Sequence, residues 1–159
     1  MSTRGLTGFR LNGTLKAMYN HSDSYPEHLG QQVVEFCRLV AWSNPIIKER
    51  VANVKLVQQD AKPSNKKVLK YAKYADLSGD GALFLGDWYS LLHGLQGVGI
   101  LNQVIRGKVK HMTDDGDFLV DGVTPIYQSA KFHNLLPKML GVAVEFPLIA
   151  HTLRVLVAG

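Results

Sequence analysis

The chain has 159 residues, of which 46% are apolar, 19% charged and 9% aromatic, and its formal net charge is +5. This composition excludes a disordered tail, a coiled coil and a low-complexity linker, and no apolar run approaches the roughly 20 residues that a membrane-spanning helix needs. We therefore expect one globular domain over residues 1–159, large enough to bury a core without disulfides.

A β-hairpin is predicted near the start of the chain, over residues 5–19. Asn12-Gly13 lies between two strand-like segments, and an Asn-Gly pair in that position is the strongest short-range hairpin signal. A segment rich in turn formers follows, and Pro26 suits the first turn of a helix. Apolar residues spaced for one helix face predict that this helix extends to Trp42.

Three further helices are predicted in the middle of the chain. The first covers residues 45–57, the second starts at Ser64, and the third runs from Asp87 to about Ile105. Residues 108–123 are typical of a second hairpin, and the apolar segment 153–157 is typical of a buried strand. The predicted fold class is α+β: a single domain with an N-terminal β-hairpin and C-terminal strands around a helical middle.

Positive charge is concentrated between Lys48 and Lys73, where there are eight basic and two acidic residues. Such a segment suits an anionic partner, and its candidate anion-binding residues lie at helical spacing: Lys66, Lys70 and Lys73. The alternative is a solvated lysine face, which we favour. Nucleic acid is therefore an admissible partner but not the expected one.

The polar segment over residues 19–25 is the main candidate site, because it joins a strand end to a helix start. Its candidate ligand- or partner-binding residues, with an arginine upstream, are Arg4, Tyr19, His21, Asp23 and Tyr25. Backbone N–H groups at a helix N-terminus favour an anionic group, and His21 and Asp23 could orient one another for acid–base chemistry. The structural alternative is that Asp23 and Ser24 cap the helix while the tyrosines pack over the core.

Other polar groups have simpler explanations. Residues 76–87 match much of a calcium-loop pattern, but Phe84 supplies no oxygen and Asp87 replaces the usual glutamate, so a turn followed by an Asp87 helix cap is expected. A hairpin turn explains a group of aspartates, Asp114, Asp115, Asp117 and Asp121. Cys37 lies in an apolar pattern and is expected to be a structural thiol. We predict no metal and no cofactor.

The helix predicted from Asp87 carries Tyr89, His93 and Gln96 on one side, which indicates core packing with a polar rim.

Ser2 supports an enzymatic alternative. Removal of Met1 would expose a free amine beside a hydroxyl ahead of a hairpin, the arrangement that N-terminal-nucleophile hydrolases use.

Two segments of the chain resemble a group of small uncharacterised proteins from bacteriophages and their bacterial hosts. The first is Thr3-Arg4-Gly5-Leu6, continued by Tyr19-Asn20-His21, Asp23-Ser24-Tyr25-Pro26 and Gly30. The second is Asp87-Trp88-Tyr89, Leu91-Leu92 and Gln96-Gly97. The resemblance covers roughly half of the chain. It implies a phage or prophage origin and a shared architecture around the Asp-Ser-Tyr-Pro loop, and it carries no reaction.

We therefore expect a non-enzymatic phage accessory protein in the cytoplasm of a bacterial host. It would bind a host protein, another host macromolecule or a small anionic ligand, and counteracting host defence would be one such role. The alternatives are a hydrolase that uses Ser2, and a virion or assembly component whose apolar C-terminal segment packs on another subunit. No membrane partner is expected, and the sequence leaves the oligomeric state open.

Overall fold

The computed structural model describes residues 5–12, 14–21, 23–75 and 85–114, together with the backbone of residues 153–156. These residues form the α-helices α1 (Gln31–Leu39), α2 (Pro45–Ala52), α3 (Asn65–Tyr71), α4 (Trp88–Leu92) and α5 (Val98–Ile105). They also form the strands β1 (Gly5–Leu11), β2 (Thr14–Asn20), β3 (Lys55–Gln58), β4 (His111–Asp114) and β5 (Leu153–Leu156). The α+β class predicted from the sequence is confirmed.

The first sheet is built on the predicted N-terminal hairpin. Strands β1 and β2 pair antiparallel from Gly5 opposite Asn20 to Leu11 opposite Thr14, and Asn12 adopts the positive φ, 49°, that the turn requires. Strand β5 lies on the other side of β1 and pairs with it in parallel. This pairing agrees with the strand predicted over residues 153–157.

The second sheet corrects the helix predicted over residues 45–57. Helix α2 begins as expected, with the Asn44 side chain accepting from the Ile46 N–H, but it ends at Ala52. Residues 55–58 form β3, which pairs in parallel with β4, so their backbone groups find partners on a distant segment that no local pattern reveals. The remainder of the hairpin predicted over 108–123, residues 115–123, lies outside the described residues.

Helix α1 is shorter than predicted at its C-terminal end. It is preceded by one π-helical turn, Pro26–Gly30, and ends at Leu39 rather than at Trp42. Val40 is extended, and the Trp42 indole N–H donates to the carbonyl oxygen of Cys37 at 2.8 Å. The indole thus satisfies a carbonyl that a longer helix would have bonded internally.

The helix predicted from Asp87 to Ile105 is divided into two. Helix α4 starts as predicted, because the Asp87 carboxylate accepts from the Ser90 N–H at 2.7 Å and caps it. A 3-10 turn over His93–Leu95 follows, and Gln96 and Gly97 leave the helical conformation before α5 begins. The break places the start of α5 beside the segment that follows β2.

The core joins the hairpin to the helices. Its fully buried side chains include Phe9 on β1, Tyr71 on α3, Leu101 on α5 and Met112 on β4. Cys37 packs against this core, and burial raises the pKa of its thiol to about 12, as expected of a structural thiol. Among the described residues, no helix is long and apolar enough to span a bilayer.

Lys16 on β2 closes the C-terminal end of α2. Its ammonium group donates to the carbonyl oxygens of Val51, Ala52 and Val54 at 3.1, 2.6 and 2.8 Å. A helix leaves its last carbonyls without internal partners, and a cation there also meets the negative end of the helix dipole. This contact stabilises the end of α2 next to the start of β3.

We expect Lys16→Met to lower the free energy of unfolding by about 1–3 kcal/mol, because three carbonyl groups lose a charged donor. Urea unfolding of the purified variant measures the loss. Lys108→Met is the matched control, since Lys108 is exposed and should change stability by less than about 0.5 kcal/mol. Equal effects of the two substitutions would contradict the capping role.

Candidate functional site

The segment after β2 folds back onto the turn between α4 and α5. The backbone N–H of His21 donates to the side-chain oxygen of Gln96 at 2.7 Å, across 75 residues of sequence. Within the loop, the Asn20 amide donates to the buried Ser24 hydroxyl at 2.7 Å, and Asp23 holds a positive φ of 56°. These contacts fix a short loop against a distant part of the chain.

Gly97 makes this approach possible. Its φ is +70°, and a Cβ at this position would lie 3.2 Å from Leu29 Cδ1 and 3.3 Å from Asn20 Oδ1. A side chain would therefore be strained and would also press on both segments that it faces. The glycine lets the α4–α5 turn lie directly against the end of β2 and the turn before α1.

A polar cavity of about 280 Å³ opens where these segments meet. We call it the histidine cavity, and its lining residues are Asn20, His21, Asp23, His28, Leu29, Gln32, His93, Gly94, Gln96 and Gly97. Three imidazoles, three amides and one carboxylate thus surround a space of the size that a small molecule occupies.

Aromatic contacts connect two of the histidines. The Tyr19 hydroxyl is 3.1 Å from His21 Nδ1, and the two rings meet edge to face. Tyr19 also packs against Tyr89, with ring centroids 6.3 Å apart, and Tyr89 contacts His93 edge to face at 5.2 Å. The contacts within this row of four rings help to set the positions of His21 and His93.

The structure brings together only part of the predicted site. His21 and Asp23 line the cavity and Tyr19 supports it, whereas Tyr25 is 39% exposed and is not among the lining residues. Arg4 lies outside the described residues. The Asp23 carboxylate forms no hydrogen bond with His21 or with any other described residue, so neither the acid–base pairing considered for these two residues nor a helix cap by Asp23 is seen.

Several lining residues are not predicted from the sequence. Periodicity places His93 and Gln96 in a polar rim, although their predicted positions, one and two helical turns after Tyr89 on the same side, are a usable signal. His28 and Gln32 are one helical turn apart, with side-chain nitrogens 3.2 Å apart, a spacing that is also visible in the sequence. Their convergence with His21 depends on the Gly97 break, which the periodicity does not reveal.

The cavity histidines do not make a metal centre. In the described part of the chain, no group of three or more His, Cys, Asp or Glu side chains is placed to hold a metal ion. Residues 76–84 of the calcium-like segment and the aspartates Asp115, Asp117 and Asp121 lie outside the described residues.

A second notable site centres on buried His111. Its ring stacks on Trp88 with centroids 4.7 Å apart, Nδ1 lies 3.1 Å from the Tyr71 hydroxyl, and Nε2 lies 3.2 Å from the Lys67 ammonium. Because an ammonium can only donate, Nε2 accepts from Lys67 and Nδ1 carries the ring proton. Burial, then the charges of Lys67, Lys55 and Lys70, lower the His111 pKa to about 4.

Lysines from three parts of the chain lie close to Lys67, whose ammonium contacts this imidazole. We call this group the lysine cluster, which comprises Lys55, Lys66, Lys67, Lys70 and Lys110. Lys66 and Lys70 are exposed on α3, as the sequence predicted. Lys73 instead lies in the 3-10 turn after α3, with its ammonium 5.0 Å from the Tyr74 ring centroid.

Gly97→Ala should lower the free energy of unfolding by about 1–3 kcal/mol, because it combines a strained φ with two tight contacts. Gly99→Ala is the control: a Cβ at Gly99 meets only ordinary contacts of 3.8–3.9 Å, and alanine in a helix should leave stability unchanged or raise it by up to about 1 kcal/mol. Thermal unfolding of both variants tests the difference. A stability loss of the same size at both positions would contradict the role assigned to Gly97.

The buried imidazole of His111 predicts a specific acid sensitivity. Its folded pKa, about 4, lies below the ordinary 6.5, so the unfolded chain binds the proton first as the pH falls. The contribution of neutral His111 is thus complete above about pH 6.5 and is lost between that pH and about pH 4. In urea unfolding over this range, His111→Phe should show a shallower decline than the unsubstituted protein, and parallel declines would refute the assignment.

Comparison with known proteins found no match: no family model, curated protein or solved structure matches the chain. The geometry of the chain offers two separate places for a partner, the histidine cavity and the lysine cluster.

Proposed function

We propose that the chain is a binding protein and that its ligand, a small uncharged or cationic polar molecule, occupies the histidine cavity. One observation carries this proposal. The two segments that resemble phage proteins are far apart in sequence, yet both contribute to the lining of the same cavity: Asn20, His21 and Asp23 come from the first, and Gln96 and Gly97 from the second. If the two segments served only to pack against each other, we would expect apolar side chains between them rather than a polar cavity lined by hydrogen-bonding side chains.

The lining supports a ligand that brings hydrogen-bond donors. Asp23 provides a carboxylate with no partner among the described residues, and Gln96 uses its oxygen on His21, which leaves its NH₂ group for an acceptor on the ligand. The described lining contains no lysine or arginine. A carboxylate with no lysine or arginine among the described lining residues favours an uncharged or cationic molecule over the anionic ligand expected from the sequence.

Binding is better supported than catalysis. Asp23 does not orient His21, and Nδ1 of that imidazole is engaged by the Tyr19 hydroxyl. The Cys37 thiol, with a pKa near 12, is a poor nucleophile at neutral pH. The hydrolase alternative rests on Ser2, which lies outside the described residues, and no observation favours it.

A phage accessory role, including one against host defence, remains part of this proposal. It rests on the resemblance of residues 3–30 and 87–97 to phage and prophage proteins. In that setting the ligand would be a small polar molecule of the bacterial host, and binding would act by sequestering or sensing it.

Two pairs of probes, matched in shape and different in charge, test the proposal. They are nicotinamide with nicotinate, and benzamidine with benzoate, each added at millimolar concentration to isotopically labelled protein. We expect nicotinamide and benzamidine to shift the NMR signals of residues that line the histidine cavity, because they offer donors to the Asp23 carboxylate and the imidazoles. The two anions should have little effect there.

Charge-neutralising variants provide the control. Asp23→Asn should weaken the benzamidine response several-fold, whereas Glu35→Gln, an exposed position on α1 away from the cavity, should leave it unchanged. Preferential binding of the anions, or an absence of shifts at residues 20–32 and 93–97 with all four probes, would contradict the proposed function.

A further inference from the structure

We propose that the lysine cluster and the arginine-lined cavity beside it form one surface that binds the phosphodiester backbone of a nucleic acid. This surface shares no residue with the histidine cavity, so the inference goes beyond the proposed function and does not depend on it. The fold gathers positive charge from separate parts of the chain, carboxylates of the described residues neutralise little of it, and lysine is the predominant cation.

The fold gathers the lysines around His111. Lys55 on β3 is paired directly with His111 in the sheet register, and Lys110 immediately precedes it in the chain. Helix α3 packs above, with the Lys67 ammonium on His111 Nε2 and Lys66 and Lys70 one turn apart on its exposed surface. The sequence shows the helix lysines as one run, but only the β3–β4 pairing adds Lys55 and Lys110.

Within the part of the chain that the structure describes, no carboxylate neutralises the charges of this cluster. None of its five ammonium groups forms a salt bridge with a carboxylate of the described residues. Burial, followed by the charges of Lys70, Lys55, Lys66 and Lys110, lowers the pKa of Lys67, which means that the protein bears a cost for holding these cations together. A polyanion would offset that repulsion.

The positive surface continues into a second cavity of about 230 Å³. Lys110 lines this arginine cavity together with Arg50, Arg106, Asn53 and Glu49. The Arg50 guanidinium donates to the backbone carbonyl of Ile105 and lies against Gly107, where a Cβ would be 3.0 Å from its Nε. Arg50 is therefore held in place before any partner arrives, and one carboxylate, Glu49, offsets only part of the charge.

The composition of the surface favours nucleic acid over an acidic protein. Lysine is depleted in the cores of protein–protein interfaces, whereas nucleic-acid interfaces are strongly positive and make most of their contacts to phosphate. A lysine ammonium binds a phosphate as a point charge, and such contacts to the backbone carry no sequence information. We therefore assign backbone binding with little sequence preference. An anionic membrane is the competing partner, because Leu69 is 83% exposed beside these lysines.

Fluorescence anisotropy, measured over a range of salt concentrations, tests the inference. The probes are labelled oligonucleotides of about 30 nucleotides: single-stranded DNA, single-stranded RNA and duplex DNA. The test variant is Lys55→Gln, Lys66→Gln, Lys70→Gln, in which all three side chains are exposed. We expect at least one oligonucleotide to bind the unsubstituted protein, and the triple variant to bind about tenfold or more weakly. The slope of log K against log salt should fall by about 3, roughly one for each lysine–phosphate pair that the substitutions remove.

The control removes the same charge elsewhere: Lys62→Gln, Lys73→Gln, Lys108→Gln, all at exposed positions outside the cluster. It should bind within about twofold of the unsubstituted protein, and both triple variants should unfold at the same temperature. Equal weakening in both variants, no binding of any oligonucleotide at low salt, or binding only to vesicles containing phosphatidylserine would overturn the inference. Asp23→Asn should leave oligonucleotide binding unchanged, so failure of this inference is distinguishable from failure of the proposed function.

Discussion

The close approach of the Gly97 backbone to Asn20 and Leu29 is the constraint on which the rest of the site depends. It can form only because the residue between α4 and α5 has a positive φ and no Cβ. Gln96, next to this break, accepts the backbone N–H of His21 at the end of β2. A single conformational requirement at one glycine thus produces the division of the helix, the anchoring of the loop and the cavity between them.

Helix α4 links the two sites that the chain presents. Trp88 and Tyr89 are consecutive, and neighbours on a helix point about 100° apart. Trp88 stacks on His111 within the lysine cluster, while Tyr89 packs against Tyr19 and His93 beside the histidine cavity. The capping of α4 by Asp87 therefore helps to position side chains beside both the histidine cavity and the lysine cluster. These two sites differ in charge and in the partner that they suit.

The sequence reveals the elements whose causes are local. Asn12-Gly13 predicts the hairpin turn, Asn44-Pro45 the start of α2 and Asp87 the cap of α4, since each acts on backbone groups within a few residues. The pairing of β3 with β4 is different, because Lys55 and His111 are 56 positions apart along the chain and nothing in either short segment identifies the other. The pattern of residues 45–57 consequently predicts one helix.

The candidate site is predictable to the same extent. His21 and Asp23 stand out as polar residues in a loop, but their partners on the other side of the cavity depend on the Gly97 break, which helical periodicity hides. The helix lysines are visible as a run, whereas the positions of Lys55 and Lys110 beside His111 follow from the sheet. Long-range pairing and one left-handed glycine thus account for most of what the sequence conceals.

The docking of the loop on the α4–α5 turn is the central claim, and nuclear Overhauser effects measure it most directly. One of the two Gly97 α-protons occupies the position that a Cβ would take. This proton points at Leu29 Cδ1 and Asn20 Oδ1. It should give a strong effect to the Leu29 methyl protons, and the His21 amide proton should give effects to the side chain of Gln96. Gly97 α-protons that show effects only to their sequence neighbours would contradict the account.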